Sequence, residues 1–106
     1  MTAVALSPPA ALAWLRSLSV DLSEAVVLDA AGAVLAGDSA LAPRVVAALG
    51  PPGARTGAEG ADVVDAGDLL AVRSRRHAVA AAVGAHALRR LALADLRGAL
   101  DALEGV

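Results

Sequence analysis

Six consecutive residues, Ala78-Val79-Ala80-Ala81-Ala82-Val83, carry neither a polar side chain nor any alternation. A strand with one wet face needs alternation. This run is therefore a strand covered on both faces or a length of buried helix, and periodicity alone leaves both open. The flanks favour a strand. Upstream, Leu69-Leu70-Ala71-Val72 is joined to it through Arg73-Ser74-Arg75-Arg76, a polar hairpin connection. Downstream, Gly84 separates it from a long amphipathic segment. The expected placement is the central strand of a sheet with helices on both faces, the alanines letting those helices approach closely.

Covering a sheet on both sides requires many apolar residues, and 58% of the 106 residues are hydrophobic. They are mostly Ala, Val and Leu, and Trp14 is the sole aromatic residue. The length suits one domain over residues 1–106. The absence of Cys excludes disulfides, thiolate metal sites and a Cys nucleophile. All nine basic residues are Arg, which excludes a P-loop lysine and Schiff-base chemistry. A net charge of −2 gives no general attraction to nucleic acid or anionic membrane. The first charge is Arg16, and Pro8-Pro9 interrupts the segment before it, so no signal peptide is expected. No uncharged apolar run reaches the ~20 residues of a membrane span. The expectation is a soluble cytoplasmic domain that neither inserts into membrane nor binds nucleic acid.

In chain order, Ser7-Pro8-Pro9 is a helix start, with Ser7 as cap and Pro8 in the first turn. Leu12, Leu15, Leu18 and Leu22 then mark one face of a helix of about four turns. Trp14 lies off that stripe, where edge packing is favoured over an interface role. Ala25-Val26-Val27-Leu28 and Ala33-Val34-Leu35-Ala36 flank Asp29-Ala30-Ala31-Gly32, whose Asp and Gly suit a type I turn. Both runs read as strands covered on both faces. Gly37-Asp38-Ser39 offers caps, Ser39 among them, for a helix at about residues 40–49, ended by Gly50-Pro51-Pro52. Residues 50–61, with four glycines and no large apolar residue, read as a surface loop. Asp62-Val63-Val64-Asp65 has the profile of an edge strand, and Asp65-Ala66-Gly67-Asp68 turns the chain into the next one. Residues 85–103 read as a helix with Leu88, Leu91, Ala92, Leu96, Leu100 and Leu103 along one side. Leu93 falls off that stripe, and Arg97 and Asp101 stand at pairing distance.

Little in this order suggests chemistry. His77 and His86 form no local metal motif and read as structural residues. Asp62, Asp65 and Asp68 lack the twelve-residue calcium pattern and its closing Glu. Ser39 has no G-x-S-x-G around it. No catalytic residue, cofactor or metal is expected. Arg73, Arg75 and Arg76 form the one concentrated charge, a candidate contact for an acidic partner or phosphate. Without interleaved aromatics, nucleic acid is disfavoured there.

Surface is more informative than chemistry. With the first and third helices on one face of a five-stranded sheet, the middle helix stands alone on the other. Its apolar residues, Leu41, Val45, Val46 and Leu49, are too few to cover such a sheet. Exposed apolar area of that kind marks an interface. The strand at Val63 and Val64 also needs protection of its edge. Pairing with a second copy meets both needs, so a homodimer through Leu41, Val45, Val46, Leu49, Val63 and Val64 is expected.

The α-β-β-α-β-β-β-α order, with particular phrases, resembles the Roadblock/dynein-light-chain superfamily, as a bacterial single-domain member. Residues 26–36 look like its first hairpin, residues 70–84 like its fourth and fifth strands, and residues 88–103 like its last helix. The similarity spans about residues 8–104. The chain departs from the pattern in its Gly/Pro loop at 50–61 and in its small core residues. The resemblance implies a profilin-like α/β sandwich with a mixed or antiparallel sheet of order 2-1-5-4-3, and dimers formed through the third strand and second helix. It also implies a non-enzymatic scaffold or regulator working beside a small Ras-like GTPase. The alternative is a small-molecule-sensing or general dimerisation module with no GTPase partner.

Overall fold

The structure is a computed structural model that describes residues 5–18, 22–49, 62–84 and 88–105. Its elements are α1 (Pro8–Leu18), β1 (Leu22–Asp29), β2 (Val34–Gly37), a 3-10 turn (Ser39–Leu41), α2 (Ala42–Leu49), β3 (Asp62–Ala66), β4 (Leu69–Arg73), β5 (His77–Val83) and α3 (Arg89–Glu104). The sheet runs β2-β1-β5-β4-β3 with every neighbouring pair antiparallel. The expected α/β order is therefore observed, and the sheet is wholly antiparallel.

The unbroken apolar run explains itself once β5 is seen at the centre. Val79, Ala81 and Val83 face α1 and α3, joining Leu12, Leu15, Leu70, Val72, Leu96 and Leu100 in one core. Ala78, Ala80 and Ala82 face the other way, joining Val26, Leu28, Leu41, Leu69, Ala71 and Val45 in a second. All six residues from Ala78 to Val83 are at most 8% exposed. Alternation is absent because neither face is wet. Ala81 lies between Ala25 and Leu70 on the neighbouring strands and is fully buried. Ala81→Phe should overpack that layer and lower unfolding stability by ~1–3 kcal/mol in a urea titration.

The second core corrects an expectation about surface. The middle helix was expected to leave the sheet partly bare, yet Ala71, Ala78, Ala80 and Ala82 are all buried. Their side chains are single methyl groups, so the backbones lie close and the eight residues of α2 with the preceding turn have little to span.

Glycines and caps set the connections. Ser7 caps α1, its Oγ accepting from the Ala10 N–H at 3.3 Å. In the first hairpin, Asp29 Oδ1 accepts from the Ala31 and Ala33 N–H groups, each at 2.9 Å. The Gly32 N–H donates to the Asp29 carbonyl at 3.0 Å, and Gly32 itself has φ +88°. This is the type I turn followed by a left-handed residue that suits a short hairpin loop. Asp38, not Ser39, caps the 3-10 turn, accepting from the Ala40 N–H at 2.9 Å.

Three stretches depart from the sequence pattern. α1 ends at Leu18, which is 51% exposed, and Leu22 belongs to β1. β2, expected to be covered on both faces, is an edge strand with Val34 and Leu35 each 39% exposed, and only Ala36 packs against the first core. The buried stripe of α3 is Ala92, Leu96, Ala99, Leu100 and Leu103, whereas Leu88 and Leu91 are exposed. Leu93, placed off the stripe by spacing, packs against the first core. Arg97 and Asp101 make no ion pair with each other among the described residues. The expected loop at 50–61, the helical start at 85–87 and His86 lie outside the described residues. Trp14 packs at the helix edge as its position suggests. A Cβ added at Gly98 of α3 would come within 2.8 Å of its ring, so the glycine makes the space that brings α1 and α3 together.

Candidate interaction surface

β3 is the strand at one edge of the sheet, and β4 is its neighbour there. Val63 stands opposite Val72, on the α1/α3 face, and is 51% exposed. Val64 points to the other face and packs against the second core. Asp65 shares the face of Val63 and is claimed by Arg89, the first residue of α3. Arg89 Nε donates to Asp65 Oδ1 at 2.7 Å, Nη2 donates to the same oxygen, and Nη2 also donates to the Gly67 carbonyl. On α2, Arg44 Nη2 donates to Asp68 Oδ1 at 2.5 Å. Two helices on opposite faces thus each send one arginine to the β3–β4 turn.

These contacts fix the local charge. The hydrogen bond from Arg89 holds the Asp65 carboxyl below the usual carboxylate range, and Arg44 does the same for Asp68. Asp65 in turn pushes the Arg89 guanidinium up. Because the folded-state pKa of each carboxyl is depressed, its stabilisation is complete above the unfolded pKa and disappears as pH falls through the folded value. The melting temperature should therefore decline on acidification below about pH 4. Arg89→Gln should flatten that acid limb in thermal melts across the range.

The expected interface residues divide sharply. Leu41 and Val45 are 1% and 0% exposed and belong to the second core, so they offer no surface to a partner. They sit one helical turn apart on the side that meets the sheet. Val46, about 100° further round the helix, is 38% exposed, and Leu49 packs partly against the core. Val46 and Val63 are thus the largest exposed members of the expected set, with Val64 partly covered.

The arginine hairpin is not one patch. Arg75 and Arg76 are exposed at the tip. Arg73 is partly buried and, with Leu28, Asp29, Val45, Val46, Leu49 and Ala78, lines a void of about 20 Å³ under α2. Such a void holds about a water molecule, far short of a metabolite. Between the arginines sits a cluster that sequence spacing does not reveal. Ser74 Oγ donates to Glu104 Oε2 at 2.5 Å, and His77 Nδ1 lies 3.0 Å from the same oxygen. Ser74 Oγ also accepts from the Arg76 and His77 N–H groups. Both side chains end on the carboxylate. The imidazole does not stand between hydroxyl and acid as a nucleophilic relay requires. The cluster instead ties the β4–β5 hairpin to the end of α3. Its residues are 27 and 30 positions apart, beyond any local motif.

Among the described residues no group of three His, Cys, Asp or Glu side chains is arranged to hold a metal ion. No described helix is long and apolar enough to cross a membrane. No protein-family model matches the chain, and neither a curated protein nor a solved structure matches it.

Proposed function

We propose that this chain is a non-catalytic interaction module that pairs with a second copy along β3 and serves as a scaffold or regulator for a small Ras-like GTPase. The observation that carries the pairing is the edge position of β3 with a half-exposed valine on it. Unpaired strand edges are templates for another strand, and an exposed β-branched residue there favours its arrival. Val46 on α2 adds a second apolar contact. The GTPase half of the reading rests on the Roadblock-like sequence phrases, and the 2-1-5-4-3 sheet agrees with what that resemblance implies. The competing small-molecule-sensing reading finds no room in the void of about 20 Å³ under α2, and is left with a wide, open groove of about 640 Å³ between α1 and β2, lined by Arg16 and Asp38 among others.

Titration of the purified chain against small GTPases from the same genome, each loaded with GDP or a GTP analogue, tests the second half of the proposal. Binding that differs between nucleotide states supports it. Absence of binding in both states contradicts it and leaves a self-pairing module.

A further inference from the structure

We infer that Arg89 decides whether a second copy can pair along β3, by neutralising the carboxylate that the second copy must approach. The inference rests on the pairing proposed above and specifies its control.

The geometry follows from strand parity. An antiparallel two-fold pairing that keeps the sheet continuous sets residues of like-facing side chains opposite one another. Centred on Val64, it places Asp65 of each copy opposite Val63 of the other. The two Asp65 residues then lie diagonally across the new ladder on one face, about 7–8 Å apart. That separation is within a Debye length of ~8 Å at physiological salt, so two bare carboxylates would repel and oppose pairing. Arg89 supplies one guanidinium to each. Its bonds to Asp65 and to the Gly67 carbonyl fix it on the strand's own turn, so the neutralising charge arrives with the edge. Val63, on the same face of the strand as Asp65, gives this surface an exposed apolar component. The edge is therefore self-complementary: each copy presents a valine and a carboxylate already matched by an arginine.

A purely local role for Arg89, bracing the β3–β4 turn, predicts something different, and double substitution separates the two. Sedimentation equilibrium of the full chain should show Arg89→Gln weakening the dimer about tenfold, with the loss reduced in high salt. Asp65→Asn should pair at least as tightly as the wild type. The double variant Asp65→Asn with Arg89→Gln should recover wild-type pairing, because the charge that needed neutralising is gone. Arg89→Lys, which retains the charge, should dimerise whether or not the glutamine variant folds well. A double variant as weak as Arg89→Gln alone, or an unaltered dimer in Arg89→Gln, overturns the inference while leaving the pairing intact. A wild type that stays monomeric overturns the pairing and the inference with it.

Discussion

Replacing Gly37 with valine should cost this fold about 3 kcal/mol or more in unfolding free energy. Gly37 ends β2 with φ +97°, a conformation that side chains other than glycine rarely adopt. Space is the heavier constraint. A Cβ at this position would overlap the Ala25 carbonyl oxygen and approach Val26 Cα at 2.9 Å and Leu12 Cδ2 at 3.0 Å. The same Ala25 oxygen accepts the Asp38 N–H at 2.9 Å, so relieving the overlap breaks the bond that carries the chain from β2 into the capped turn. Gly67 is the matched control. It too has positive φ, at +63°, but an added Cβ meets nothing within 4 Å. Gly67→Ala should therefore cost only the conformational strain, about 1 kcal/mol. Urea titrations of the two variants separate close approach from backbone conformation.

Leu96→Ala should destabilise by ~2–5 kcal/mol, and Leu91→Ala by less than about 0.5 kcal/mol. The two leucines are five positions apart on α3 and chemically identical, so the contrast isolates burial. Leu96 is fully buried in the core beneath α1 and α3, whereas Leu91 is 60% exposed. Alanine is a strong helix former, so neither change weakens the helix itself. Truncating Leu96 removes its transfer free energy and leaves a cavity lined by small aliphatic residues, which have few rotamers with which to refill it. For a domain whose total stability is of order 5–15 kcal/mol, that loss is a large fraction. Equal effects at the two positions would mean that the helix is rotated from the orientation described.

The same pair shows how far the sequence is legible. Leucine spacing located α3 but admitted Leu88 and Leu91 to its buried stripe, because an alanine-rich helix offers apolar residues on more than one face. Ala92, Leu96, Leu100 and Leu103 of the expected stripe are buried, and the residue it lacked is Ala99, since alanine gives the period little contrast. In α1 the leucine period continued past the helix end, taking in Leu22 of β1. The strand order along the chain was readable because each hairpin carries its own turn chemistry, most clearly at Asp29 and Gly32. Burial on the α2 side was misjudged, since counting the apolar residues of a helix ignores how little volume Ala71, Ala78, Ala80 and Ala82 require. The Arg89–Asp65 and Ser74–Glu104–His77 contacts join residues far apart in sequence, and no spacing rule finds them. Gly98 was the missed local signal: a glycine inside a helical pattern has a packing reason, here the ring of Trp14.

On the proposed reading β5 is scaffold and interaction belongs to the rim. Every side chain of the run from Ala78 to Val83 is occupied by packing, while β3 presents Val63 and the Asp65–Arg89 pair at an edge. Analytical ultracentrifugation of the intact chain at micromolar concentration, beside a Val63→Lys variant, tests this most directly. A dimeric wild type and a folded, monomeric variant are the predicted result, since a lysine on an edge strand opposes pairing without touching the core. A wild type that remains monomeric, or a variant that dimerises as well as the wild type, would contradict pairing through β3.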